Sequence, residues 1–375
     1  MSNKTILFLH FGSFSLINES VLKAFYKIFP EYKIETIDLK ALLKNMSKKE
    51  KIKLIYKTLI HTKRFSWKGV KGSYSKSIYY WELTNQLISK AVKKKDYVFS
   101  FQTQSNFNGN LVFCPHYIYT DHTHLVNLGY PDFNRNQINS KDWIDFETTL
   151  YQNSNGIFTM SNHVKNSLLN QYYIDSNKVK CVFAGANISQ TDVQYLLERY
   201  QKKNILFVGV AWERKGGPEL FEAFKLIYQK HPDAILNIVG CSPDIQHPNV
   251  KIWGRLPKQE VKKHYESASI FCMPSKREPF GIVYLEAMSY KLPIVALNIG
   301  ALPDFVEKGK NGFLLEFKDI QGMASQIIYL LDNPELGQEM GKYGYKKVNQ
   351  QYHWEKSVSS IRKFIENQKI LEMKL

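Results

Sequence analysis

Between Ser275 and Met288 the chain places two carboxylates eight residues apart. Glu278 precedes Pro279 and Gly281, and Glu286 sits inside the apolar run Ile282-Val283-Tyr284-Leu285-Glu286-Ala287-Met288. Pro279 and Gly281 suit a helix start, because a first-turn proline gives up an N–H that has no intrahelical partner. The remaining free N–H groups favour an anion such as a phosphate. Eight residues at helical rise span roughly 12 Å, comparable to the separation of a hexose from the ribose in a nucleotide diphosphate sugar. One glutamate could then hold sugar hydroxyls and the other ribose hydroxyls. Phe280 and Gly281 would offer backbone N–H groups to the diphosphate between them. Without a supporting scaffold, the same pair would suit a surface loop and the polar face of a helix.

Three further groups could act with this pair. Arg214 and Lys215 follow the apolar run Ile205-Leu206-Phe207-Val208-Gly209, where cations would stabilise the charge on a departing diphosphate. Arg grips phosphate bidentately, whereas Lys acts as a point charge. In the first half, Tyr119-Thr120-Asp121-His122-Thr123-His124 follows an apolar stretch. His116, Asp121, His122 and His124 are all potential metal ligands, but their spacing matches no zinc motif. Gly12 and Ser13 follow the first apolar run and form the third group.

These residues need a scaffold of strands and helices. Thr5–Leu9, Tyr32–Ile37, Tyr97–Phe99, Leu111–Phe113, Ile157–Met160 and Val179–Phe183 are short apolar or alternating runs of strand length. Ile17–Phe29 has helical spacing, and Ser161 is placed to cap a helix running to Gln171. Strands alternating with helices favour a parallel α/β sheet. Ile270-Phe271-Cys272-Met273 puts Glu278 just past another strand, and ligands in such sheets bind outside the strand ends.

The run from Ser275 to Met288 resembles the E-x7-E signature of the retaining family-4 glycosyltransferases, which have the two-domain GT-B fold. Ile205–Gly209 with Arg214-Lys215-Gly216-Gly217 is similar to the strand and phosphate loop that open the family's nucleotide domain. Leu236–Gly240, Val250–Gly254, Pro293–Ala296 and Asn311–Leu315 follow in the family's order. The resemblance covers nearly all of 203–354 and rests on shorter pieces over 1–200.

It implies two Rossmann-like domains with parallel sheets facing a cleft, and a C-terminal helix crossing back to the first domain. The domains would be 1–190 on the acceptor side, 191–350 for the nucleotide sugar, and 351–375 for the returning helix. It also implies roles for Glu278, Lys215, Arg214 and His122 in catalysis, and for Glu286, Phe280, Gly281, Gly12 and Ser13 in donor binding. His122 would touch the donor sugar, and Ser161 and Asn162 would face the cleft. The family has an Arg directly after the strand glycine where this chain has Val210. Arg214 either replaces it or points elsewhere. Asn187 stands where the family has an Asp. No metal or cofactor is expected, and a UDP-sugar is favoured over a GDP-sugar as donor.

Length and composition fit this reading. At 375 residues and 44% hydrophobic content the chain suits two globular domains. Cys114, Cys181, Cys241 and Cys272 are scattered, which argues against a zinc ribbon or a disulfide framework. No G-x-x-x-x-G-K-[ST], no G-x-S-x-G and no convincing G-x-G-x-x-G after the first strand is present, which disfavours a P-loop ATPase, a simple hydrolase and a dinucleotide enzyme. The lack of a secretory leader or a spanning apolar run leads us to expect a cytoplasmic protein.

The net charge of +17 is uneven: Lys40–Lys76 holds twelve basic residues and one acidic residue, Glu50. Apolar residues between the lysines make this region a candidate for the anionic inner face of a membrane, in preference to nucleic acid or a merely solvated helix. The expected activity is retaining transfer of a hexose from a nucleotide diphosphate sugar to a glycan or glycolipid acceptor in cell-envelope synthesis. The alternatives are a sugar-nucleotide epimerase or phosphorylase of the same fold, or a catalytically silent basic protein on membranes.

Overall fold

The computed structural model describes residues 4–13, 16–62, 75, 77–93, 96–187 and 195–372. Contacts divide the chain into two compact units. The first comprises Met1–Asn127, Asn134–Phe183 and Trp354–Leu375, and the second Leu128–Phe133 and Ala184–His353. The divisions thus fall at 183/184 and 353/354 rather than at 190/191 and 350/351, and a short segment, 128–133, joins the second unit.

The first unit contains β1 (Thr5–His10), α1 (Ile17–Ile28), β2 (Lys33–Asp38), α2 (Leu39–Lys44), α3 (Lys48–Thr62), α4 (Ile78–Ala91), β3 (Tyr97–Thr103), β4 (His116–Thr120), α5 (Lys141–Gln152), β5 (Gly156–Thr159), α6 (Asn162–Asn170) and β6 (Val179–Cys181). Its six strands form one parallel sheet in the order β2-β1-β3-β4-β5-β6. Strands covered on both faces read as continuous apolar runs, and Ile6, Leu7, Phe8 and Leu9 of β1 are fully buried.

One expected strand is absent. Leu111–Phe113 forms a turn in which Val112 is fully exposed, and the strand starts after Pro115, at His116. The turn closes with Cys114 N–H donating to the Leu111 carbonyl at 3.5 Å. The apolar residues of the true strand, Tyr117, Ile118 and Tyr119, are the buried ones.

The second unit contains α7 (Leu197–Gln201), β7 (Asn204–Val208), α8 (Gly217–Lys230), β8 (Ile235–Val239), β9 (Val250–Gly254), α9 (Lys258–Ser267), β10 (Ile270–Cys272), α10 (Ile282–Ser289), β11 (Ile294–Leu297), α11 (Leu302–Phe305), β12 (Gly312–Leu315), α12 (Ile320–Asp332) and α13 (Pro334–Gln351). Its sheet is also parallel, ordered β12-β11-β10-β7-β8-β9. The last helix, α14 (Trp354–Glu372), returns to the first unit. There Val358, Ile361 and Ile365 are buried, and Phe364 meets Phe158 edge-on at 5.2 Å. Arg362 anchors it further, donating to the Ile28 carbonyl and pairing with Glu31 at 2.8 Å.

Candidate active site

In the second sheet β7 and β10 are neighbours, paired at Ile205↔Ile270 and Leu206↔Phe271. Beyond them the chain runs in opposite directions: β7 leads to β8 on one flank and β10 to β11 on the other. That divergence opens a crevice at the strand carboxyl ends, where ligands of open parallel sheets collect. The loops after β7 and β10 carry Lys215 and Glu278.

The two loops are laced by backbone. Lys276 N–H donates to the Arg214 carbonyl at 2.9 Å. Gly216 adopts φ 73, and a Cβ there would lie 1.9 Å from the Pro274 carbonyl oxygen. Only glycine tolerates both the left-handed backbone and that approach. The Lys215 ammonium pairs directly with Glu278 Oε2, and both side chains are largely buried, at 12% and 7% exposure. Glu278 is also held from behind, since its carbonyl accepts Ala301 N–H at 3.2 Å. Gly300, at φ 56, leaves no room for a Cβ, which would stand 2.1 Å from that carbonyl oxygen.

Gly281 occupies the N-cap of α10 at φ 93, with no side chain capping the helix start. The first helical residue is Ile282, so Pro279 lies in the loop before the helix rather than in its first turn. The uncapped N–H groups give this end a positive partial charge. Phe280 turns its ring into the core against Phe305 and is 3% exposed, so only its backbone is available to a ligand. Arg214 is exposed and donates from Nη1 to the Arg277 carbonyl at 2.9 Å. Arg277 itself turns to Asp132, at 2.9 Å.

Glu286 lines a separate cavity of about 390 Å³, together with Asn187, Lys258, Lys262, Tyr265 and Tyr290. The Tyr265 hydroxyl donates to Glu286 Oε2 at 3.3 Å. Burial pushes the Glu286 carboxyl up to about 7, against the opposing pull of the Tyr265 hydroxyl and Lys258. Near neutral pH it therefore exchanges readily between acid and carboxylate. A larger hollow of about 740 Å³ beside Trp212 is lined by Glu213, Glu219, Glu222 and Asp244, a charge unsuited to a diphosphate.

In the first unit His122 follows β4. Its carbonyl accepts from Ser105 Oγ at 2.9 Å and Thr120 Oγ1 at 2.8 Å. Burial lowers its pKa to about 4, with His124 and His163 adding to the effect, so the ring is neutral. His124 accepts Asn139 N–H at Nε2 (2.9 Å) and packs on Trp143. His116 is fully buried against Ser100 Oγ at 2.8 Å. Among the described residues no group of three or more His, Cys, Asp or Glu is placed to hold a metal.

Gly12, at φ 58, donates its N–H to Asp38 Oδ1 at 2.9 Å, and Lys40 packs where a side chain at 12 would stand. Ser13 is exposed. Ser161 is buried and caps α6 by accepting Val164 N–H at 3.2 Å; Asn162 is the first helical residue. Sequence reasoning missed Glu147, which is buried in α5. It accepts the His124 N–H at 3.1 Å and bonds the Tyr151 and Tyr172 hydroxyls. It has no sequence signature, because its partners come from 23 and 25 positions away as well as from its own helix.

Residues 188–347 match the family described as glycosyl transferases group 1. An uncharacterized glycosyltransferase of Haemophilus influenzae is 32% identical over 176 residues, covering 42% of this chain and 49% of that protein. The capsular polysaccharide biosynthesis glycosyltransferase CapM of Staphylococcus aureus is 26% identical, covering 56% and 62%. The chain spans about half to two thirds of the length of such relatives. Among solved structures, sucrose-phosphate synthase of Thermosynechococcus elongatus superposes with TM-score 0.67 at 15% identity, covering 98% of this chain and all of that one. Anabaena HepE in complex with UDP and glucose gives 0.62 at 15%, covering 96% and 99%. The fold of the two units is that of the GT-B enzymes.

Proposed function

We infer that the chain is a retaining hexosyltransferase using a nucleotide diphosphate sugar, in keeping with the match of residues 188–347 to the group 1 glycosyl transferases. The observation that carries this reading is the buried Lys215–Glu278 pair at the strand ends where β7 and β10 diverge. An arriving diphosphate replaces the carboxylate at the Lys215 ammonium and sits on the uncapped start of α10. Glu278, released from Lys215, then accepts hydrogen bonds from hexose hydroxyls. Lys215 and the fixed N–H dipoles stabilise the charge that grows on the leaving phosphate. Arg214, on the exposed side of the same loop, supplies a second cation at longer range. Glu286 accepts hydrogen bonds from the ribose hydroxyls in its own cavity.

Retention follows if the departing phosphate oxygen takes the acceptor's proton on the face it leaves, with water excluded so that the donor is not hydrolysed. The complex of HepE with UDP and glucose supports a UDP-sugar as donor. The test is the anomeric configuration of the product, read from its one-bond C–H coupling by NMR. An α-linked donor should give an α-linked product; an inverted product would refute the mechanism.

The acceptor is a glycan or glycolipid of the cell envelope in this reading, and CapM supports the polysaccharide class. Among the described residues no helix is long and apolar enough to cross a membrane. Helix α3 nevertheless carries a surface suited to one. Leu54, Ile55 and Leu59 are partly covered and Thr58 is buried, whereas Ile52, Tyr56 and Ile60, spaced four apart, are 65%, 61% and 55% exposed. Exposed Lys48, Lys49, Lys51, Lys53 and Lys57 share that helix. A basic helix with an exposed apolar stripe suits an anionic inner-membrane surface, where a lipid-linked acceptor would be found. Phe65 and Trp67, from the same basic stretch, lie outside the described residues.

A further inference from the structure

Arg199 lies in α7, just before the first strand of the second sheet, and is 6% exposed. A buried guanidinium must find acceptors for its fixed fan of N–H groups. Nε donates to the Ala268 carbonyl at 2.6 Å, Nη1 to the Tyr290 carbonyl at 2.8 Å and Nη2 to the Tyr265 carbonyl at 3.0 Å. Among the described residues no carboxylate pairs with it, so carbonyl dipoles answer its charge. The side chain is itself held in place. The Tyr195 ring covers the guanidinium at 3.8 Å and the Tyr200 ring stands at 5.3 Å. The Ser269 hydroxyl donates to the Arg199 carbonyl at 2.7 Å.

The three acceptors mark the ends of two helices. Ala268 is the C-cap of α9 and Tyr265 sits in its last turn, and Tyr290 is the C-cap of α10. Carbonyls there have no partner within their own helix, and the negative end of each helix favours a cation. One side chain thus closes both helix ends and fixes their separation. A lysine would carry the charge without the planar fork that spans them. The same helices wall the Glu286 cavity: α9 contributes Lys258, Lys262 and Tyr265, and α10 contributes Glu286 with Tyr290 at its end. Two of the three acceptors of Arg199 are therefore the tyrosines of the cavity. Their rings stack with centroids 5.2 Å apart and 4° between planes. From that stack the Tyr265 hydroxyl reaches Glu286. Tyr290 N–H donates to the Glu286 carbonyl at 3.2 Å.

We propose that Arg199 is a positioning residue for nucleoside recognition: by clamping the ends of α9 and α10 it sets Tyr265, and through Tyr265 the Glu286 carboxylate, where ribose hydroxyls are read. The inference rests on the transferase reading, in which Glu286 takes the ribose, and adds the residue behind the cavity that fixes its geometry. Arg199 is not among the lining residues, so its effect on a ligand passes through the two helices.

The test compares the full chain with Arg199→Met and Arg199→Lys. Affinities for UDP, GDP, their 2′-deoxy counterparts and inorganic pyrophosphate are measured by titration calorimetry, at a temperature where circular dichroism shows each protein folded. The unsubstituted protein should prefer the ribonucleotide that it binds to its 2′-deoxy form about tenfold, the loss of one hydrogen bond to a charged group. In Arg199→Met that preference should fall to about twofold or less. Pyrophosphate affinity should not change, because Lys215 and the start of α10 hold the diphosphate. Arg199→Lys, which keeps a buried cation and part of the bonding, should fold more readily and show an intermediate preference. Lost stability alone does not give this pattern. Ile227→Ala, which hollows the buried face of α8, should lower the melting temperature and keep the full preference. In a Tyr265→Phe background, Arg199→Met should change the preference little further, since the two act in series. A full preference in folded Arg199→Met and Arg199→Lys overturns the proposal. So does an equal loss of pyrophosphate affinity, or the same loss of preference in Ile227→Ala. An unsubstituted protein that binds none of these ligands would instead contradict the transferase reading.

Discussion

Lys215 and Glu278, 63 positions apart in sequence, meet as a largely buried ion pair. Breaking one partner of such a pair leaves an uncompensated charge, a loss of about 3–5 kcal/mol. Lys215→Met should therefore destabilise the protein more than the double variant Lys215→Met/Glu278→Gln, which buries no lone charge. Urea denaturation of the three proteins checks the order. Both variants should lose transfer activity, with kcat reduced about 100- to 1000-fold for loss of Lys215 alone.

Gly300 and Gly216 set the spacing of the same site. A methyl group at 300 would press on the carbonyl of Glu278, and one at 216 on the carbonyl of Pro274, each in left-handed backbone. Gly300→Ala should cost at least about 2 kcal/mol. It should also weaken nucleotide-sugar binding by displacing Glu278. Calorimetric melting and titration measure the two effects on one sample.

Glu147 gives the first unit a pH dependence with a definite sign. Burial, opposed by bonds from Tyr172, His124 N–H and Tyr151, raises its carboxyl from 4.5 to about 7. The folded state then binds more protons than the unfolded state between those values, so stability is greatest below the lower one and falls as pH rises through the higher one. Glu147→Gln cannot ionise. Its stability relative to the parent protein should improve by about 3 kcal/mol between acid and mildly alkaline pH. Chemical denaturation across that range checks it, and a flat difference would contradict the assignment.

Helix α3 can be separated from catalysis. Replacing Ile52, Tyr56 and Ile60 by Ser should leave the fold intact, because these side chains are exposed. Cosedimentation with vesicles containing phosphatidylglycerol should fall, as it should when Lys49, Lys53 and Lys57 become Glu. Each lysine near the surface contributes about 1 kcal/mol at moderate salt. Equal binding to neutral and anionic vesicles would contradict the surface reading.

The strands were legible because buried parallel strands are apolar without interruption, as in Ile205–Val208 and Ile294–Leu297. Leu111–Phe113 has the same look but precedes Pro115 and forms a turn, so the apolar run that mattered was Tyr117–Tyr119. Glu278 and Lys215 could be named from their places after strands, but not their direct pairing, since register alone brings β7 and β10 together. Glu147 was invisible for another reason: its burial brings it to Tyr172 and the His124 backbone, neither of which is signalled by spacing. Pro279 was misplaced by three residues, because Gly281 ends the loop and Ile282 begins the helix.

The assignment of Lys215 and Glu278 to an activated sugar is tested most directly by thermal stabilisation with nucleotide sugars. UDP-, GDP- and ADP-sugars are added to the intact chain and to Lys215→Met. A true donor at 100 times its dissociation constant should stabilise the intact protein by about 2.7 kcal/mol and the variant far less. Equal stabilisation of both proteins, or none of the intact protein by any nucleotide sugar, would contradict it.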